Sequence, residues 1–409
     1  MVFGMEGRGG LVVNQIRTRP TVVVTTTISR TVDGFYSQII EEFQSRGYQV
    51  HVVTSDGPEV PRLRKRADAV HIIPMERAIS PVADLRALLA WVRILRRIRP
   101  ELVFGGTPKA ALLSMVASRM NGISRRAYFL QGLRLEGTTG TRRRLLATME
   151  WLTSSSSHVI VAVSTSLATR YQELHLTAGK SIEVPHCGSS HGVDSDYFSP
   201  MPRDTSFIRS LAMDPEVPIV LFIGRLTADK GPDTLIDALQ LLRAEGINLQ
   251  LLVLGAKDEE DSSHYQTRLE ACPTPVRMFD HLLDVRPYIA AADLLVLPTR
   301  REGMPNAVLE AAAMGIPSVT TTATGAVDSV VDGETGLLVP PDHPRNLATA
   351  IRQLLTDPEL RQRMGAAARS RAVTFFQPRD VARAIAAIAL DDRRSLPSDP
   401  ITARAPSHG

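Results

Sequence analysis

The sequence predicts two doubly wound parallel α/β domains facing each other across a cleft. Three observations carry this reading. At 409 residues the chain exceeds what one hydrophobic core usually covers. Short β-branched and aliphatic runs alternate with helical stretches through both halves. The alternation pauses once, at Ser199-Pro200-Met201-Pro202-Arg203-Asp204, before a new strand begins at residue 219. The expected units are a first domain over residues 19–198, a linker over 199–216 and a second domain over 217–371.

In the first half, strands are expected at 21–27, 49–54, 69–74, 102–105, 127–130, 158–163 and 182–185, with helices between them at 35–46, 82–99 and 108–120. In helix 82–99, Leu85, Leu88, Leu89, Val92 and Leu95 form one stripe, expected to pack on the sheet. The second half offers strands at 219–223, 249–254, 293–298, 317–321 and 337–339. Residues 1–18 and 392–409 are polar or rich in Gly, Pro and Ser, and are expected to be disordered tails.

Hydrophobic residues make up 44% and charged residues 22%, the balance of a soluble globular protein. No run approaches 18 apolar residues, and the first twenty lack the apolar core of a secretory signal. Cys187 and Cys272 have no metal-ligand spacing and read as reduced thiols of a cytoplasmic protein. The net charge is +4, and its cations are clustered: Arg62, Arg64, Lys65 and Arg66; Arg93, Arg96, Arg97 and Arg99; Arg142 to Arg144. All precede residue 150, whereas the acidic run 258–261 lies in the second half. Any single cluster reads as a solvated helix face, but the asymmetry as a whole suggests that the first half meets something anionic, either a phosphorylated acceptor or an anionic membrane surface reached peripherally. A nucleic-acid partner is disfavoured, because the seven Tyr, eleven Phe and two Trp do not cluster beside the Arg runs.

The chemistry concentrates in the second half. Its first strand leads into Gly224-Arg225 and on to Lys230-Gly231-Pro232, a turn that opens a helix. Arg225 and Lys230 there suit a diphosphate, whose charge must be held and then stabilised as it leaves. No Walker loop is present. Further on, Glu302-Gly303-Met304-Pro305-Asn306-Ala307 precedes Glu310 on an otherwise apolar helix. Pro305 is placed to open that helix, so the amides near Asn306 and Ala307 form an anion site. Glu310 then accepts from ribose hydroxyls and Glu302 from those of an attached sugar; an ion pair of Glu310 with Arg225 or Lys230 is the structural alternative. Gly255 ends a strand facing the cleft, where it either lets a nucleobase approach or serves as an ordinary turn glycine. Asp194-Ser195-Asp196 reads as a turn rather than a metal site, and His186, His191, His264 and His281 show no metal spacing. In the first half, Lys109 at a helix start is a candidate for an acceptor phosphate, and His191 lies in a Gly-rich loop near the cleft.

Taken together, Arg225…Lys230-Gly231, Glu302-Gly-Met-Pro-Asn…Glu310-Ala and Asp332-Gly-Glu-Thr-Gly336-Leu-Leu-Val resemble the motifs of glycosyltransferase family 4, retaining enzymes of GT-B fold. The resemblance implies a nucleotide-sugar donor held by the second domain, no metal or other cofactor, and a returning helix near 372–391 that crosses to the first domain. It places Glu302 at the donor sugar, Glu310 at the ribose, and Arg225 and Lys230 at the diphosphate. Thr107-Pro108-Lys109-Ala110, Gln131-Gly132-Leu133-Arg134-Leu135-Glu136 and Gly188-Ser-Ser-His191-Gly192-Val193-Asp194 are similar to a subgroup that builds bacterial surface polysaccharides. Its members extend a sugar on a polyprenyl diphosphate, commonly from UDP-activated amino sugars. Lys109, Arg134, His191 and Gly34 become the acceptor-side candidates. The chain departs from the family where Ser29 to Gly34 replaces a common Gly-Gly and where Phe104-Gly105-Gly106 and Gln131 replace His or basic residues. No glycosidase-type carboxylate pair is evident, so front-face substitution is expected, with the leaving diphosphate taking the acceptor proton. A GT-B nucleotide-sugar 2-epimerase is the rival reading.

Overall fold

The structure, a computed structural model, describes residues 19–76, 78–255, 262–280 and 282–392. The tails at 1–18 and 393–409, the acidic run 258–261 and His281 lie outside the described residues.

The first sheet contains β1 (Thr21–Thr25), β2 (Gln49–Thr54), β3 (Ala69–Ile72), β4 (Leu102–Gly106), β5 (Arg125–Leu130), β6 (Val159–Ala162) and β7 (Ser181–Glu183). Their order across the sheet is β3-β2-β1-β4-β5-β6-β7. The second contains β8 (Ile219–Ile223), β9 (Gln250–Leu254), β10 (Val276–Phe279), β11 (Leu294–Leu297), β12 (Ser318–Thr321) and β13 (Gly336–Val339), in the order β10-β9-β8-β11-β12-β13. Every pairing in both sheets is parallel. Helices cover both faces, so central strands such as Val22-Val23-Val24 and Leu251-Leu252-Val253 are buried on both sides. Each sheet reverses its order once, at β1/β4 and at β8/β11. Ligands in such sheets bind beyond the carboxyl ends of the strands at those points. There the chain places residues 26–35 and 107–109 in the first half, and 224–230 and 298–302 in the second.

One strand escapes the sequence reading. β10 is a four-residue edge strand wedged between Pro275 and Asp280, too short to show a period.

Helix Pro378–Leu390 crosses back from the second half. Val381, Ala382, Ile385 and Ala386 bury themselves in the first half's core beside Phe43 and Phe104. Just before it, the Val193 amide donates to the Phe376 carbonyl at 2.7 Å. The same core also takes Met304, Leu309, Ala312 and Ala313 from the second half. The segment that carries Glu302 and Glu310 is thus packed onto both halves.

Helix Pro81–Ile98 corrects the expected core stripe. Ala87, Trp91 and Leu95, spaced by four, face the sheet with Val92, whereas Leu85 and Leu89 are 58% and 45% exposed and Val82 64%. Trp91, fully buried, sets the helix rotation, and the Leu85/Leu89 side turns to solvent. Among the described residues no helix is long and apolar enough to cross a membrane.

Candidate active site

The turn after β8 carries the two predicted cations. The Gly224 amide donates to Leu254 O at 2.9 Å, and a Cβ on Gly255 would stand 2.7 Å from Gly224 O. Gly255 is therefore required by the backbone beside it. Lys230 closes a short 3-10 turn, Ala228–Lys230, and Gly231 follows at φ +69°. At Gly231 a Cβ would strike the Pro298 carbonyl, so only glycine fits this crossing of the β8 and β11 loops.

Lys230 Nζ lies 2.5 Å from Glu302 Oε1, with side chains 16% and 11% exposed. Arg225 Nη2 lies 3.9 Å from Asp229 Oδ2, and Arg301 Nη2 is 3.0 Å from the same oxygen. Burial pushes the Asp229 carboxyl up, but the Thr227 hydroxyl with Arg301, Lys230 and Arg225 outweighs it and holds the group below the usual carboxylate range. Asp229 thus acts as a hub that gathers three cations at the mouth of the turn.

The Glu302 amide donates to Thr324 O at 2.8 Å. Gly325, at φ +76°, presses under the loop so closely that a Cβ would stand 2.4 Å from both the Glu302 and Gly303 carbonyls. The 324–328 segment is in turn pinned to the first half. The Thr324 hydroxyl donates to Glu136 Oε1 (2.9 Å), the Gly325 amide to the Ser166 hydroxyl (2.7 Å), and Asp328 accepts from the Ser166 amide and hydroxyl. The position of Glu302 is therefore coupled to the seating of the two halves. The sequence reading missed this strap. Its only sequence signal is Thr324-Gly325, a turn pair directly after a strand.

Helix Asn306–Ala313 starts as expected, with Pro305 as its N-cap. Asn306 Oδ1 is buried without a partner. Glu310 has no hydrogen-bond or ion-pair partner among the described residues, so the alternative pairing with Arg225 or Lys230 is not formed; Lys230 pairs with Glu302 instead. The Glu310 side chain lines a cavity of about 350 Å³ together with Gly34, Phe35, His191, Asp194 and Phe198. Of the four predicted donor groups, Glu310 is the one that lines this cavity. Lys230, Glu302 and Arg225 gather around the β8 turn, and Glu310 stands one helical turn beyond the helix tip.

Desolvation pushes the Glu310 carboxyl from 4.5 up to about 7. A carboxyl raised on folding destabilises the fold as it ionises, so the cost grows as pH climbs from about 4.5 through 7. Glu310→Gln is expected to raise Tm near pH 8 and to leave it unchanged near pH 4. Calorimetry showing the same difference at both pH values would contradict this.

The acceptor-side candidates divide between two places. Gly34 and His191 line the Glu310 cavity. His191 Nδ1 lies 2.8 Å from the Ser190 hydroxyl, its ring 4.7 Å from that of Phe35, and burial pushes its pKa down to about 4, so it is neutral at pH 7. Lys109 and Arg134 line a second cavity, about 760 Å³, between the halves. Lys109 is 7% exposed and its ammonium donates to Asp84 Oδ1 (2.6 Å) and to Ala78 O, so its charge is spent inside the first half. Arg134 is exposed and keeps its guanidinium for the cavity. Thr107, at φ +60°, is a β-branched residue in the left-handed region; its hydroxyl accepts the Thr27 amide (2.9 Å), which sets the direction of Pro108 and Lys109. Asp194 Oδ1 accepts from the Asp196 and Tyr197 amides, an Asx turn.

Two parallel sheets joined by a crossing helix, with cations and a helix tip at the second sheet's switch point, define the GT-B class of glycosyltransferase. Family comparisons place it more closely. Residues 204–371 match the family described as glycosyl transferases group 1, and residues 35–187 the glycosyl transferase 4-like domain. The chain is 31% identical over 351 residues to the capsular polysaccharide biosynthesis glycosyltransferase CapM of Staphylococcus aureus, covering 86% of this chain and 91% of that protein. It is 25% identical to the alpha-D-kanosaminyltransferase of Streptomyces kanamyceticus, covering 80% and 90%. The chain belongs to the group 1, family 4-type glycosyltransferases. In fold it is similar to Anabaena HepE, solved in complex with UDP-glucose, with a TM-score of 0.73 at 20% identity, covering 91% of this chain and 99% of that one.

Proposed function

We propose that the protein is a retaining glycosyltransferase that moves a sugar from a nucleotide sugar, a UDP-sugar in our reading, to a hydroxyl of a polyprenyl-diphosphate-linked glycan during surface-polysaccharide synthesis. The observation that carries the donor side is the Lys230–Glu302 pair standing beside Arg225 and the helix tip at Asn306 and Ala307. Arg225, Lys230 and the helix amides hold the diphosphate; Glu302 takes donor-sugar hydroxyls, and Glu310, whose side chain has no partner among the described residues, takes the ribose. Likeness to CapM supports the surface-polysaccharide role. Gly34 and His191, beside Glu310, act on the donor side in this reading.

The chemistry is front-face substitution. The bond from the anomeric carbon to the diphosphate oxygen breaks while the acceptor oxygen bonds to the same face, and the acceptor proton passes to the leaving diphosphate. Lys230 and Arg225 stabilise the charge that develops there. A screen of UDP- and GDP-sugars against polyprenyl-diphosphate sugars, with the product anomer read by NMR, tests this. Retention with UDP release is expected. Inversion contradicts the mechanism, and donor epimerised without acceptor supports the 2-epimerase reading instead.

Such an acceptor is reached at the cytoplasmic membrane face. Val82, Leu85 and Leu89 are exposed on helix Pro81–Ile98, with Arg86 and Arg93 exposed on the same helix and Arg142 and Arg144 on helix Gly140–Ser156. Apolar side chains rimmed by arginine fit an anionic bilayer. Flotation with phosphatidylglycerol vesicles, but not with pure phosphatidylcholine, is expected, and is lost in a Leu85→Asp, Leu89→Asp variant. Absence of flotation with either lipid would contradict membrane docking.

A further inference from the structure

The 760 Å³ cavity holds a carboxylate that the donor chemistry does not use. Its walls come from both halves, with Arg134, Glu136 and Arg142 on one side and Asp229, Arg300 and Arg301 on the other. Glu150, on helix Gly140–Ser156, closes it from the first half and is 7% exposed. One of its oxygens, Oε2, accepts from the Tyr128 hydroxyl at 2.8 Å and the Tyr171 hydroxyl at 3.2 Å. Tyr171 is itself held by the Ser154 hydroxyl at 2.7 Å. The other oxygen, Oε1, has no hydrogen-bond partner among the described residues.

This arrangement is costly if it serves only packing. A buried carboxylate needs its lone pairs filled, and two tyrosines fill one oxygen while leaving the other to the cavity. Glu136 and Arg301 also line this cavity, but their Oε1 and Nη2 atoms are engaged by Thr324 and Asp229. Glu150 Oε1 is thus a carboxylate oxygen with spare bonding capacity on the wall of this hollow. The arginines meet an anion, and the carboxylates meet donors such as sugar hydroxyls.

We propose that Glu150 is an acceptor-recognition residue, its free oxygen accepting hydrogen bonds from hydroxyls of the acceptor sugar within this cavity, with Tyr128 and Tyr171 as the positioning residues that aim it. The proposal rests on the transferase reading above and adds to it where the acceptor sugar lies and which group reads it. Burial pushes the Glu150 carboxyl up to about 7, against the lowering effect of the two tyrosine hydroxyls. The charged or titratable groups around it are Tyr128 from β5, Tyr171 from helix Thr165–Glu173, Lys109, Arg134, Glu136 and Arg142 from the first half, and Asp229, Arg300 and Arg301 across the cavity. The ionised form is the better acceptor, so recognition strengthens as pH rises through this range.

The test compares wild type, Glu150→Gln and Tyr171→Phe with a donor sugar nucleotide and a panel of acceptors. The panel contains polyprenyl-diphosphate mono- and disaccharides and the corresponding free oligosaccharides. For whichever member wild type extends, Glu150→Gln is expected to raise acceptor KM on the order of tenfold or more, because a charge-assisted hydrogen bond is lost. Donor KM and the slow hydrolysis of donor by water stay unchanged. Wild-type acceptor KM falls as pH rises through about 7, while the Gln variant is flat, and Tyr171→Phe lies between them. A purely structural carboxylate would shift Tm and leave acceptor KM and its pH profile alone, which overturns the proposal. Extension of no sugar in the panel overturns it as well. Extension of free oligosaccharides alone, with the Glu150→Gln effect present, overturns the lipid-linked reading and keeps this one. Loss of donor hydrolysis on Lys230→Ala reports separately on the donor site.

Discussion

Lys230→Ala is expected to lower kcat on the order of 10²–10³-fold, the loss typical when one preorganised charge is removed from a developing anion. Lys230 is the cation that a short turn and the left-handed Gly231 set beside Glu302. As the diphosphate leaves, its charge grows, and an ammonium fixed in place beforehand stabilises that state without reorganising. Donor KM should move less than kcat, because the interaction strengthens toward the transition state. The variant also strands Glu302, 11% exposed, without its cation; breaking a buried pair costs about 3–5 kcal/mol at most. Steady-state kinetics read beside calorimetry separate the two effects. Adding Glu302→Gln to Lys230→Ala should restore much of the Tm and none of the turnover. A Lys230→Ala enzyme within about fivefold of wild-type kcat, roughly one to two orders short of the expected loss, would defeat the assignment.

Gly303→Ala is expected to cost on the order of 10²-fold in kcat/KM, the scale of misplacing a reacting group by about 1 Å. A Cβ at 303 would stand 2.0 Å from the Gln131 carbonyl and 3.0 Å from Val163 Cγ2. The near neighbour is strand-end backbone, so neither side gives way cheaply. The Glu302 loop must lift from the first half, and the Thr324 and Gly325 strap lifts with it. Met304, the next residue, belongs to the core shared by the two halves, so Tm should fall as well while transfer collapses. Transfer at wild-type rates would show that the halves need not meet at Gly303 for catalysis.

The parallel strands were legible because burial on both faces leaves near-continuous aliphatic runs, as in β1 and β9. β10 was not, being four residues at a sheet edge. The stripe of helix Pro81–Ile98 was misread because leucines at helical spacing say nothing of which face a larger neighbour, Trp91, will claim. At the site, Lys230, Glu302 and the helix opening at Pro305 were visible as local chemistry on turns after strands. What was hidden depends on partners distant in sequence. Lys109 is silenced by Asp84, Glu136 is tied to Thr324, and Glu150 is framed by Tyr128 and Tyr171. The cavity they share with Asp229 and Arg301 draws on five separated stretches of chain, and no local pattern announces it.

The most direct measurement is a crystal structure with UDP or a UDP-sugar bound. The diphosphate is expected between Arg225, Lys230 and the amides of Asn306 and Ala307, with the ribose hydroxyls on Glu310. Density for the nucleotide in the cavity beside Glu150 and Arg134, with Lys230 still closed on Glu302 and Glu310 untouched, would contradict the account.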